Sequence, residues 1–156
     1  MSSQAEVRFL DQLQEAHPEA SAGVLDLLVG WQAAGGHLSF GRADETSCFL
    51  VIQAQSWHQD ETWPMTIYPR AGSVEVVFQH MRRRRVFDDL ALREEFRDRL
   101  AEAGIEIPDT KLSLRPSFSL SVLADDANRS AVNAALAWFA ATYRAGVNPD
   151  IQPSDS

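Results

Sequence analysis

Four arginines stand in a row in this chain, Arg82, Arg83, Arg84 and Arg85. Guanidinium groups stay charged and present forked donors that match phosphate and carboxylate oxygens. The run is therefore a candidate site for an anionic partner, with Arg93 and Arg115 as further candidates. Read as the extended exit of a strand, it sends alternate side chains to opposite sides, so at most two would converge on one ligand. The competing reading is a solvated charged face, neutralised by Asp88, Asp89 and the acids that follow. Of the aromatic residues that single-stranded nucleic acid needs for stacking, Phe87 alone is interleaved with the arginines.

Other chemistries leave fragments. A restriction-endonuclease-like site needs a strand acid followed by Glu/Asp-x-Lys, so that carboxylates hold a divalent cation and lysine orients water. Here Glu75 is followed two positions on by Val77, and Gln53-Ala54-Gln55 stands where the second element would be. The only lysine, Lys111, lies far downstream. His58-Gln59-Asp60-Glu61 could offer metal ligands on a loop, but no second ligand cluster has recognisable spacing. Cys48 lies inside an apolar run and reads as a packed thiol. No serine stands in a Gly-x-Ser-x-Gly elbow, and the glycines form neither phosphate-binding fingerprint. No catalytic residue, metal or cofactor is assigned.

The elements that position these residues follow from periodicity. Ser3 and Glu6 have capping-box spacing ahead of Phe9, Leu10 and Leu13. His17-Pro18 divides this helix from a second, whose stripe is Val24, Leu27, Leu28 and Trp31 and which Gly35-Gly36 ends. Period-two segments follow at 37–40, 46–53, 65–68 and 73–81, with a polar loop at 55–61 flanked by Trp57 and Trp63. Asp88-Asp89 caps a helix with Leu92, Phe96 and Leu100 on its buried face. Residues 105–107, 111–115 and 118–122 read as extended. Asp125-Asp126 opens the last helix, which carries Val132, Leu136, Phe139 and Tyr143, with Trp138 also taken as core, and Gly146 ends it. The order α-α-β-β-β-β-α-(β)-α implies an α+β fold: a four-stranded antiparallel meander packed against helices. Residues 1–146 are expected to form one globular domain and 147–156 a flexible tail.

The chain has 156 residues, 45% of them hydrophobic and 23% charged, which is ordinary for a globular protein and excludes a disordered or fibrous one. Its net charge is −8. That average conceals a contrast. Residues 80–99 hold seven arginines against five acids, net +2, and the rest has seven basic against seventeen acidic residues, net −10. The acidic average disfavours nucleic acid and anionic membranes as partners. The first residues lack the basic and apolar regions of a signal peptide. The longest apolar run, Cys48 to Ile52, is far short of the ~20 residues a membrane helix needs. One cysteine excludes an internal disulfide and fits a reducing compartment. A cytoplasmic location is expected.

Three strings carry a resemblance: Phe78-Gln-His-Met-Arg-Arg-Arg-Arg-Val-Phe-Asp-Asp89, Arg93-Glu-Glu-Phe-Arg-Asp-Arg-Leu100 and Arg115-Pro-Ser-Phe-Ser-Leu120. Together they resemble a group of small bacterial domains of unknown function, over residues 36–143. This chain departs from the pattern at Val86, where a proline is usual. The resemblance implies a stand-alone bacterial domain and no mechanism. Without a complete catalytic set, the leading reading is a non-enzymatic interaction module that binds a protein or anionic partner. One alternative is a divergent metal-dependent hydrolase using Asp44, Glu45, His58, Asp60, Glu61 or Glu75. Another is a structural homodimer formed through a sheet edge or an exposed tryptophan.

Overall fold

The computed structural model describes residues 3–53 and 61–147. Two helices open it, α1 (Gln4–Ala16) and α2 (Pro18–Ala33). The Ser3 hydroxyl accepts the Glu6 amide at 3.0 Å, which caps α1 as the sequence spacing implies. Gly35, at φ 104°, takes the left-handed conformation beyond the end of α2.

Five strands form one antiparallel sheet in the order β1-β2-β3-β4-β5: β1 (His37–Phe40), β2 (Cys48–Gln53), β3 (Glu61–Tyr68), β4 (Ser73–Val76) and β5 (Ser117–Ser119). The fold is thus α+β, with one strand more than the expected meander. The extra strand comes from the 118–122 segment, which pairs Phe118 with Val74 on the edge of β4. Extended structure stops there, and α5 (Ser121–Ala124) follows.

Pairing across the sheet sorts its two faces. Phe40, Cys48, Ile67, Val74 and Phe118 form one row, and Leu38, Leu50, Met65 and Val76 another. Both join a single apolar cluster with Phe9, Trp31, Phe96 and Phe139 from α1, α2, α4 (Leu90–Ala101) and α6 (Asp126–Val147). The intervening row, Ser39, Phe49, Thr66, Glu75 and Ser117, lies on the opposite face.

β3 carries an irregularity that aims its side chains. Leu50 pairs with Met65 and Ile52 with Thr62, so Trp63 and Pro64 together face Val51. Proline has no N–H for the ladder, and a bulge is where a strand tolerates it. The Trp31 indole donates to the Val51 carbonyl at 3.0 Å and lies 3.3 Å from that of His37, binding α2 to β1 and β2.

The chain after β4 departs from the expected strand. The period-two pattern of 73–81 ends at Val76, and α3 (Phe78–Met81) is a helical turn. Phe78 and Met81 at i and i+3 are both buried, which a strand could not achieve on one face. Residues 105–107 form no strand, and 111–115 is a tight turn beginning with a 3-10 helix at Asp109–Lys111. Trp138 is half-buried rather than core, with the Arg99 guanidinium 4.7 Å from its ring centroid. Cys48 is fully buried, and burial pushes its thiol far above the ordinary range. Val147 still belongs to α6; the remainder of the expected tail, 148–156, lies outside the described residues. Among the described residues no helix is long and apolar enough to cross a membrane.

Two glycines of α2 make a discriminating pair. A methyl at Gly23 would run into the backbone carbonyl of Leu123, so the close approach of α2 and α5 requires glycine there. At Gly30 the obstruction is the Asn133 side-chain oxygen, which can swing away. Gly30→Ala should be neutral or stabilising by up to about 1 kcal/mol, the usual helical gain. Gly23→Ala should lose that gain and destabilise by about 1–3 kcal/mol, the cost of overpacking. Urea unfolding measures both, and equal effects would contradict the packing described.

Candidate anion-binding site

The arginine run lies between α3 and α4, in turns rather than on an extended exit. The amides of Arg82, Arg83 and Arg84 donate to Phe78, His80 and Met81 carbonyls at 2.9, 3.2 and 3.1 Å. This winding replaces the strand alternation with steps nearer the helical ~100° per residue. More than two side chains then reach one place. Arg83, Arg84 and Arg85 line a single cleft of about 340 Å3 together with His80, Glu61 and Tyr143. Arg83 and His80 also line an adjoining cleft of about 220 Å3 with Gln79 and Arg115. Residues from β3, the α3–α4 turns, the β5 approach and α6 thus meet around His80.

Arg82 to Arg85 are all exposed, and none forms an ion pair with a carboxylate of the described residues. Arg85 donates to the Gly146 carbonyl at 3.0 Å, which ties the run to the end of α6. Arg115 is half-exposed and lies 3.7 Å from Glu75, whose other neighbour is the Tyr68 hydroxyl at 3.2 Å. Burial and then the Glu75 charge raise the Tyr68 pKa.

Arg93 has a different place. Its guanidinium is buried and donates to Leu112, Phe87 and Asp88 carbonyls at 2.8, 2.8 and 3.1 Å. Burial, and next the Arg82 charge, lower its pKa. It shapes the loop from within and does not line either cleft.

Two residues of the site, Trp63 and His80, are not brought together by any pattern in the linear sequence. Trp63 stacks on His80 with ring centroids 3.8 Å apart and planes 19° from parallel, and Phe49 meets Trp63 edge-on at 5.9 Å. Trp63 comes from the bulged part of β3 and His80 from the α3 turn. The i, i+3 relation of His80 and Arg83 was the one local clue, hidden by the alternation of residues 73–79. Beside this stack Phe49, Val51 and Trp63 line a further cleft of about 230 Å3 with His37, Ser39 and Glu61.

The acids considered for metal chemistry are placed separately. Glu45 accepts the Arg70 and Ala71 amides, both at 2.7 Å, while Glu75 faces Tyr68 and Arg115. Asp44 lines a different cleft with Arg8, Gln12 and Arg70. Among the described residues no three His, Cys, Asp or Glu side chains gather as metal ligands; His58 and Asp60 lie outside them, as does Trp57. Comparison with protein-family models, curated proteins and solved structures finds no match for this chain.

His80 reports the electrostatics of the site. Partial burial, followed by the Arg84, Arg115 and Arg83 charges, lowers its pKa from 6.5 to about 4. The fold therefore holds the ring neutral at pH 7. Stability linked to it is complete above about 6.5 and declines as pH falls toward about 4, because the unfolded chain takes up the proton first. NMR titration should give a His80 midpoint near 4, and His80→Phe should flatten that part of the stability–pH curve. A ring titrating near 6.5 would contradict the cationic surroundings.

Proposed function

We propose that this chain is a non-enzymatic interaction module that takes an anionic group of its partner on the Arg83–Arg85 surface, as a bacterial cytoplasmic domain. The observation that carries the reading is the convergence of Arg83, Arg84 and Arg85 with His80 on one cleft, without ion-pair partners among the described residues. Elsewhere several arginines are paired: Arg97 with Asp98 and Asp109, Arg99 with Glu95, and Arg129 with Asp26 and Asp126. In a chain of net charge −8, acids to neutralise the run are plentiful, yet Glu61 is the one acid that lines this cleft, and it forms no ion pair with the run among the described residues. Like charges held together repel one another, and an incoming anion relieves that repulsion as well as forming charge-assisted hydrogen bonds.

The module reading also fits the neutral His80. A neutral imidazole retains an acceptor nitrogen but brings no charge, so the guanidinium groups supply the attraction. Burial is the larger cause of the low His80 pKa, and anion binding offsets the second, the Arg84, Arg115 and Arg83 charges.

Calorimetric titration with pyrophosphate at low salt should show saturable binding that weakens toward 0.15 M ionic strength, about where charges are screened beyond ~8 Å. Arg83→Ala with Arg84→Ala should weaken it at least about tenfold, equivalent to about 1.4 kcal/mol, with the urea midpoint unchanged. Arg93→Ala should instead lower stability, by about 1–3 kcal/mol, through carbonyls left unpaired. Absence of binding at low salt, or full binding by the double variant, would refute the reading.

A further inference from the structure

The cationic clefts do not end at the arginines. Glu61 lines both the arginine cleft and the neighbouring cleft of Phe49, Val51 and Trp63. The Trp63–His80 stack joins the two regions, since Trp63 lines the apolar cleft and His80 the cationic one. Three chemistries therefore follow one another along this surface. An aromatic and apolar recess comes first, a carboxylate at its rim second, and a set of guanidinium groups third.

Resting on the anion-binding reading, we propose that the ligand is a free nucleoside di- or triphosphate. Its base lies in the recess against Phe49 and Trp63, its sugar hydroxyls donate to the Glu61 carboxylate, and its phosphates meet Arg83, Arg84 and Arg85. Aromatic faces hold bases through stacking that any base can provide. A carboxylate repels phosphate but accepts ribose hydroxyls, a division of labour used in other nucleotide sites. Guanidinium forks supply the bidentate phosphate contacts that a glycine-rich loop supplies elsewhere.

The recess, about 230 Å3, and the arginine cleft, about 340 Å3, are each small, which suits a compact ligand. The second cationic cleft shares His80 and Arg83 with the first, so a chain of two or three phosphates can extend past Arg83 toward Arg115. The stack itself is incompletely satisfied: among the described residues, Trp63 Nε1 and His80 Nε2 are buried without hydrogen-bond partners.

The test is calorimetric titration of the intact chain with ADP, adenosine, pyrophosphate, a short single-stranded oligonucleotide and a phosphoserine peptide. ADP should bind about tenfold or more tightly than adenosine and pyrophosphate, the gain one stacked base provides. Trp63→Leu should abolish the preference for ADP over pyrophosphate, and Trp63→Phe, which keeps an aromatic face, should restore it in part. On the unmutated protein, the Trp63 indole N–H resonance should move with ADP and remain still with pyrophosphate. If pyrophosphate binds as well as ADP and the Trp63 resonance does not respond, the nucleotide proposal fails and the anion-binding reading stands. Tighter binding of the oligonucleotide or the phosphopeptide than of ADP also overturns it. If none of the anions binds at low salt, both readings fall together.

Discussion

Four adjacent positive charges cannot hold a chain segment in place, so everything described here depends on what anchors the turns that carry them. Phe78 on one side is fully buried and meets Phe96 edge-on, with centroids 6.2 Å apart. Phe87 on the other side stacks flat on Phe139, at 4.0 Å and 6°. Between these anchors Arg93 reaches in from α4 and takes the carbonyls of Phe87 and Asp88, groups that a loop would otherwise leave to water. One arginine is buried so that its neighbours can be exposed. A buried guanidinium requires several acceptors, and the loop closes around it because it supplies them. The repulsion stored among Arg82 to Arg85 is thus opposed by aromatic burial on both flanks, each ring contributing a few kcal/mol.

The same logic of fixed anchors applies to the sheet. Trp31 secures β1 and β2 through two carbonyls, and Pro64 obliges β3 to bulge where it faces Val51. The bulge aims Trp63 toward His80, which α3 presents from the opposite direction. A regular strand of the same length would place Trp63 by simple alternation, and a continued β4 in place of α3 would carry His80 away from it. The site is therefore made by two departures from regular structure, each tied to a particular residue: the missing N–H of Pro64 and the buried pair Phe78 and Met81.

This explains which features the sequence displayed. Helix starts were legible because caps are local: Ser3, Asp89 and Asp125 each accept an amide of the first helical turn, at 3.0, 2.9 and 2.8 Å. The antiparallel order was legible because Leu50, Met65, Val74 and their partners alternate or run together as strands do. The α3 turn was hidden because Val74, Val76 and Phe78 keep period two across the boundary, while the reason for turning lies in tertiary burial. The arginines were visible as a run, yet their convergence was not, since it depends on that turn. Arg93 looked like one more cation on a charged helix face. Its burial follows from carbonyls of Leu112 and Phe87, which no pattern within α4 encodes. Trp63 and His80 are seventeen positions apart, and only the β3 register combined with α3 brings them into contact.

The charge distribution bears on ligand size. Around the run, residues 80–99 carry net +2, and the remainder carries net −10. At physiological ionic strength an exposed charge is felt over about 8 Å, so a compact anion seated among Arg83, Arg84 and Arg85 experiences mostly those groups. An extended polyanion must continue past them. Beyond the reach of these groups it meets a surface whose net charge is strongly negative. Phosphates beyond the reach of Arg115 then gain no guanidinium and meet repulsion instead, whereas polyanion binders normally gain affinity with every phosphate neutralised. The acidity of the whole chain and the basicity of one turn are thus complementary. The first disfavours long polymers, and the second matches the small ligand proposed above, whose charge fits within the reach of three guanidinium groups.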